Sequence, residues 1–303
     1  MSSSAGKDIG SRDILCIYHK DCNDGLAAAA VVVLYAQQEQ REIDCTACHH
    51  GDPLPDTTGY SFVIIVDFSF SRKILVDLSN KLTKRRASLK VIDHHKTAEE
   101  DLWGLPFCIF DMNECGATLA WKTFFPDKEM PLLLRYVRDR DLWLWELNNS
   151  RAVLAGLNSI DTSLGSWVGL LKAPSGVVDN LLAVGLPIYG YQRKLAETIA
   201  KRAWTCEIAG HLVPCVNTTT LISEVGEILC EENPFSVTYF DTAQPGTGRF
   251  RLERVHSLRS KPGSLVDVGE IAKMFGGGGH KHAAGFKINC EILDYNLLEK
   301  VHA

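Results

Sequence analysis

The first half of the chain alternates short apolar runs with longer segments of helical period. Residues 14–18 (ILCIY), 62–66 (FVIIV) and 89–92 (LKVI) read as strands. A strand that is apolar at nearly every position is one covered on both faces. Residues 26–36 are rich in Ala, Val and Leu and predict a buried helix. Residues 71–82 set Ile74, Leu75 and Leu78 on one stripe and predict another. Residues 116–125 and 132–137 also read as helices. Strands and helices in alternation predict a mostly parallel, doubly wound sheet.

Residues 150–203 are helix-like, and 189–204 (YGYQRKLAETIAKRAW) is the clearest amphipathic stretch. The pattern then restarts. Residues 206–216 predict a strand pair turning at Gly210 and His211, 221–230 a helix, and 235–240 and 250–258 extended chain. Residues 266–275 predict a helix and 283–288 a last strand. The predicted architecture is α/β with two domains. A larger N-terminal domain, a mostly parallel doubly wound sheet, covers residues 12–178, and residues 179–204 form a helical linker. A smaller C-terminal α/β domain covers 205–303.

Composition narrows the function. With 303 residues, 46% of them hydrophobic, the chain can bury two cores. A net charge of -5 excludes a protein that coats nucleic acid by charge alone, and disfavours long strands as substrate. No apolar run approaches the roughly 20 residues that span a bilayer, and the first residues lack the apolar core of a secretory signal. A cytoplasmic protein with no membrane partner is expected, and a homodimer is compatible with it. The 10 cysteines are scattered singly, as reduced thiols are. Cys45, Cys48 and His49 match a haem-attachment spacing by chance, and His49 and His50 read as surface loop.

Each predicted strand ends in side chains that bind metals. His19, Asp21 and Asp24 follow the first, Asp67 the second, and Asp93, His94 and His95 close the third. A fourth candidate pair, Asp139 and Asp141, follows the helix at 132–137. One Asp after a strand is ordinarily a cap or turn residue. The joint pattern says more, because parallel strands deliver their C-terminal ends to one edge, where ligands bind. Carboxylates with some imidazole suit manganese and, less well, magnesium. No Cys at matching positions speaks for a structural zinc. So many carboxylates exceed the needs of one ion and point to about two, the arrangement that hydrolyses phosphate esters and anhydrides.

These stretches resemble a known family. VIDHH, at 91–95, resembles the third motif of the DHH phosphoesterase superfamily; HKDCNDG resembles its first, IIVDFS its second and VRDRDLW its fourth. NECGATLAW looks like the segment after the third motif. SLRS, followed by VDVGEIAKMFGGGGHKHAAGF, is similar to the associated DHHA1 domain. The resemblance implies an active site between two domains. It implies one cation on His19, Asp21 and Asp67, and a second on Asp24, Asp67, His94 and Asp139, with Asp67 shared. His95 would face the substrate phosphate, and Asp93 would orient the histidines. Asp21 and Asp24 are three apart, where the family commonly has two, so the role of Asp21 is open. The choice between Asp139 and Asp141 is open too, with Asp139 preferred.

Gly276 to Gly279 could be a helix cap and turn, but that needs one glycine. Gly277, Gly278 and Gly279 with His280 and His282 suggest a nest of backbone N–H groups for phosphate, and Arg259 could add a bidentate contact. Trp143 and Trp145 read as core, with base stacking the sharper alternative. The expected activity is hydrolysis of phosphodiester bonds in short oligonucleotides or small nucleotides, by hydroxide held between two divalent cations (Mn2+ before Mg2+). The alternatives are an exopolyphosphatase or pyrophosphatase acting on polyphosphate or pyrophosphate, and a non-catalytic module that binds nucleotide or tRNA. Retention of Asp67 and His94 favours the enzyme.

Overall fold

The computed structural model describes residues 13–161, 163–173, 176–244 and 251–290. Phe250, where one predicted strand begins, and the ends 1–12 and 291–303 lie outside these. The chain divides into two units, Met1–Tyr189 and Gly190–Ala303.

The apolar runs of the first unit become strands because both their faces find cover. The elements run β1 (Ile14–His19), α1 (Asn23–Gln38), β2 (Ile43–Cys48), β3 (Phe62–Val66), α2 (Arg72–Lys84), β4 (Ser88–Asp93), α3 (Lys96–Leu102) and β5 (Cys108–Phe110). All five strands are parallel, in the order β2-β1-β3-β4-β5. Side chains alternate between faces. Ile14, Cys16, Ile64, Val66 and Ile92 pack with Ala27 to Val32 of α1. Leu15, Ile17, Val63, Ile65 and Val91 pack with Leu75, Leu78 and Leu82 of α2. Each fully buried Ile, Leu or Val contributes roughly 1.5–3 kcal/mol, so the two faces together carry most of the stability of this unit.

Five helices follow: α4 (Gly116–Phe124), α5 (Leu132–Asp141), α6 (Ser150–Leu157), α7 (Leu164–Lys172) and α8 (Val177–Ala200). Residues from α4 to α7, with Leu181 and Leu182 of α8, join the core on the α1 side. The division between the units falls within α8, which is helical over most of the residues read as a helical linker. It stops at Ala200, and Trp204, read as helical, opens a strand.

The second unit comprises β6 (Trp204–Ile208), β7 (His211–Asn217), α9 (Ile222–Cys230), β8 (Ser236–Gln244), β9 (Arg251–Arg259), α10 (Val268–Met274), β10 (Gly278–His280) and β11 (Ala283–Cys290). Its sheet has the order β10-β11-β9-β8-β7-β6 and is antiparallel except at β7–β8. Val213, Phe235, Val237, Leu258, Ile271 and Phe286 form its main core. Among the described residues no helix is long and apolar enough to cross a membrane.

The first sheet fixes where chemistry can occur. β1 connects outward to β2, whereas β3 lies on β1's other side, so the chain reverses direction between β1 and β3. Such a switch point opens a crevice at the C-terminal strand ends. Tyr18 pairs with Val66, and Val66 with Ile92. The next residues, His19, Asp67 and Asp93, therefore leave the sheet at one level.

Helices α6 and α8 cross with little room for side chains. A Cβ on Gly185 would fall on the Ala152 carbonyl, and one on Gly156 on the Leu181 carbonyl. Overpacking of this kind costs about 1–3 kcal/mol. Gly185→Ala should therefore lower the thermal midpoint by several degrees. Gly169→Ala, on α7 with nothing within 4 Å of the added methyl, should leave it unchanged or raise it slightly. Calorimetry on both variants checks the pair.

Candidate metal centre

The site begins with three strand ends and two glycines. Asp67 follows β3 in left-handed backbone, φ 52°, while its N–H still donates to Ile92 O at 2.9 Å. Asp tolerates this conformation better than most residues, at a cost of order 1 kcal/mol. The first turn of α1 supplies Asp24, and Gly25 lets that turn lie against His19, whose carbonyl a Cβ would strike. Asp24 accepts N–H bonds from Gly116 (2.6 Å) and Ala117 (2.8 Å) at the start of α4. A Cβ on Gly116 would overlap Asp67 and touch Asp24, so glycine is required where α4 meets both carboxylates.

These elements crowd carboxylates around one imidazole. His94 Nε2 lies 3.1 Å from Asp67 Oδ1, 3.4 Å from Asp141 Oδ2 and 3.6 Å from Asp24 Oδ2. His19 Nδ1 lies 3.4 Å from Asp67 Oδ2. Asp24, Asp67, Asp93 and His94 are all buried. Asp93 Oδ1 takes the His94 N–H at 2.8 Å, the His95 N–H at 3.4 Å and His95 Nδ1 at 2.7 Å. One carboxylate oxygen thus orients both histidines.

The charges are strongly perturbed. Burial pushes the Asp24 carboxyl up, and the charges of Asp67 and Asp141 push it further. The two N–H donors of α4 act against that rise. Burial also raises Asp141, partly offset by His94. Burial would raise Asp67 too, but the neighbouring imidazoles of His19 and His94 hold it below the usual carboxylate range. Burial would lower His94, yet Asp67, Asp141 and Asp24 raise it to about 10. His95 is raised because its bond to Asp93 outweighs burial.

The structure sorts the sequence candidates. His19, Asp24, Asp67, His94 and His95 come together at this edge, with Asp93 directly behind the two histidines. Asp21 does not. Its side chain is 73% exposed, in left-handed backbone, and its Oδ2 lies 3.3 Å from His49 Nε2. The thiol of Cys22, the next residue, instead falls within 4.8 Å of donor atoms of His19 and Asp67. Of the acids on α5, it is Asp141 that reaches His94. Asp139 turns back on the chain, its Oδ1 accepting the Glu146 N–H at 2.8 Å and Oδ2 the Leu147 N–H at 3.4 Å. Sequence reasoning preferred Asp139 because position in a motif does not say which acid a helix end turns inward. His50 lies on the surface as read, but its ring is 5.6 Å from His19, 6.2 Å from His95 and 5.0 Å from Phe68, tilted to it. Its place directly after β2 could not serve as a signal, because the sequence did not reveal that strand.

The remaining candidates lie in the second unit. Arg259 donates to Ser223 Oγ at 2.9 Å and to the Leu258 carbonyl at 2.9 Å. Ser260 Oγ meets His282 Nδ1 at 2.9 Å. Gly278 to His280 form β10 on β11, a strand the sequence reading took for a loop. A Cβ on Gly277 or Gly279 would collide with β11, so close backbone packing accounts for these two glycines.

The donor set fits divalent cations. Asp67 Oδ2 is buried without a hydrogen bond, an arrangement that costs a neutral fold about 1–3 kcal/mol or more. Three groups have donor atoms within 4.8 Å of one another: His19, Cys22 and Asp67; Asp67, His94 and His95; and Asp24, His94 and Asp141. Asp67 belongs to two of them and stands where two cations would share a ligand.

No family model matches the chain. An uncharacterized protein of Acanthamoeba polyphaga mimivirus is 27% identical over 289 residues, covering 89% of this chain and 66% of that one. The oligoribonuclease NrnB of Bacillus subtilis is 25% identical over 244 residues, covering 73% and 58%. The chain thus spans about two thirds or less of the length of these relatives. Among solved structures, PggH of Vibrio cholerae, a pGpG-specific phosphodiesterase, matches with TM-score 0.51 and 15% identity over 96% of this chain and 97% of that one. Its likeness is one of fold. The similarity to NrnB and the shared fold with PggH agree with the resemblance of the chain's motifs to the DHH/DHHA1 superfamily.

Proposed function

We propose that the protein hydrolyses phosphodiester bonds in short oligonucleotides or small nucleotides with the help of two divalent cations, manganese before magnesium. The observation that carries this reading is the meeting of Asp24, Asp67 and Asp141 on His94. Three carboxylates around one imidazole leave excess negative charge in a buried place, and cations relieve it. His19, Asp67, His94, Asp24 and Asp141 would hold them, with Cys22 within reach and Asp21 outside it. Bound there, the cations would supply an activated water and offset charge on the phosphoryl oxygens.

The chain's own groups do the rest. Asp93 accepts from the His94 backbone N–H and from the His95 ring, and so turns the His95 imidazole toward a phosphoryl oxygen. α4 holds Asp24 by two N–H groups and fixes it against Asp67. The second unit, with Arg259, the glycine run, His280 and His282, is proposed to bind substrate. NrnB, a relative at 25% identity, is an oligoribonuclease, which supports a short nucleotide over polyphosphate.

Two tests follow from this geometry. After chelation the protein should turn over nothing; with manganese it should cleave a dinucleotide faster than a long single strand or polyphosphate. Polyphosphate as the best substrate would replace the phosphodiesterase reading, and no turnover of any would end the enzyme reading. Substitution separates the acids. Asp67→Asn and Asp141→Asn should lose cation affinity by calorimetry and at least about 100-fold in kcat, while keeping their circular dichroism. Asp139→Asn should instead cost about 1–3 kcal/mol of stability by unpairing backbone N–H groups. Lost cation binding with unchanged stability in Asp139→Asn would reverse the assignment.

A further inference from the structure

The turn after α5 is built at a cost that packing does not explain. Trp143 and Trp145 both sit in left-handed backbone, at φ 57° and 58°. Bulky side chains rarely adopt it, and residues that do cluster at functional sites. Trp145 Nε1 is buried without an acceptor, whereas a settled buried indole normally finds one. Asp139 holds the turn in place. Its carbonyl accepts the N–H groups of Leu144 (2.9 Å) and Trp145 (3.4 Å), and its carboxylate those of Glu146 and Leu147.

The two indoles meet edge to face at 4.8 Å, and each supports a guanidinium. Arg140 Cζ lies 4.6 Å from the Trp143 centroid, and Arg151 Cζ lies 4.0 Å from that of Trp145. Arg138, two residues earlier, is committed to the Asn113 carbonyl at 2.7 Å and to Glu114 at 3.6 Å. Arg140 has no such tie among the described residues; it is half-buried and rests on its two rings. It also directly precedes Asp141, the acid 3.4 Å from His94, and its charge favours that carboxylate. A guanidinium backed by an indole beside the reacting centre offers its outer face to another flat ring.

We infer that Arg140, seated on Trp143 and braced by Trp145, is a nucleobase subsite that selects purine nucleotides next to the cleaved bond. This rests on the phosphodiesterase reading and adds a specificity to it. Stacking on guanidinium and aromatic planes is a sequence-tolerant way to hold a base, and a purine offers more overlap than a pyrimidine.

The test compares a purine dinucleotide with the same compound lacking the base next to the cleaved bond. The protein with its own residues should favour the purine about tenfold or more in kcat/KM, chiefly through KM. Arg140→Gln and Trp143→Leu should bring this ratio toward one, and Trp143→Phe should restore most of it. A purely structural role would lower the thermal midpoint of these variants and leave the ratio alone, which would overturn the inference. A second measurement is independent of turnover. Adenosine 5′-monophosphate, added to chelated protein, should quench tryptophan fluorescence, and Arg140→Gln should abolish the effect. No quenching, or equal quenching by inorganic phosphate, overturns the base subsite. Quenching without hydrolysis of any substrate would leave the subsite standing and remove the enzyme reading.

Discussion

Three buried or half-buried carboxylates compete for one imidazole at the edge of a parallel sheet, and the rest of the first unit is arranged around that crowding. Asp67, Asp24 and Asp141 come from β3, α1 and α5, far apart in sequence, and all three approach His94 Nε2 within 3.6 Å. Burial drives Asp24 and Asp141 up, the neighbouring carboxylates add to the rise, and the same carboxylates raise His94. A fold optimised for stability alone would replace buried charge with apolar side chains. Its persistence here, with the Asp67 Oδ2 atom unsatisfied, makes sense when positive ions complete the cluster.

The helices do not treat the three acids alike. Asp24 lies in the first turn of α1 and also receives the first N–H groups of α4, so two helix N-termini favour its charge. Asp141 is the last residue of α5, where the helix dipole disfavours an anion. Arg138 and Arg140 in that last turn offset part of the cost. Of the three, Asp141 is the acid least supported by the scaffold. The glycines at 25 and 116 serve the same arrangement, since either with a side chain would push these helices off the strand ends.

Much of this was legible in the sequence, and the part that was not has a physical reason. β1, β3 and β4 declared themselves because strands covered on both faces are apolar throughout, and the residues after them marked the edge. β2 and β5 passed unseen because they are edge strands, partly exposed, with no apolar run to announce them. β10 was hidden by its glycines, of which Gly279 packs closely on β11. Asp21 and Asp139 drew attention by spacing alone. Spacing does not reveal that Asp21 adopts a left-handed turn that faces it outward, nor that Asp139 folds back on its own loop. Left-handed backbone is usually foreshadowed by Gly or Asn, and here the residues were Asp and Trp.

Asp139 links the two halves of this account. Its carboxylate and carbonyl hold the turn at 142–147, and the same helix end two residues later presents Asp141 to His94. A single rigid connection therefore joins the acid that would hold a cation to the indoles that support Arg140. The geometry of one cannot shift without the other. The left-handed residues Trp143 and Trp145 lie in this same stretch, between Asp141 and the N–H groups that the Asp139 carboxylate holds.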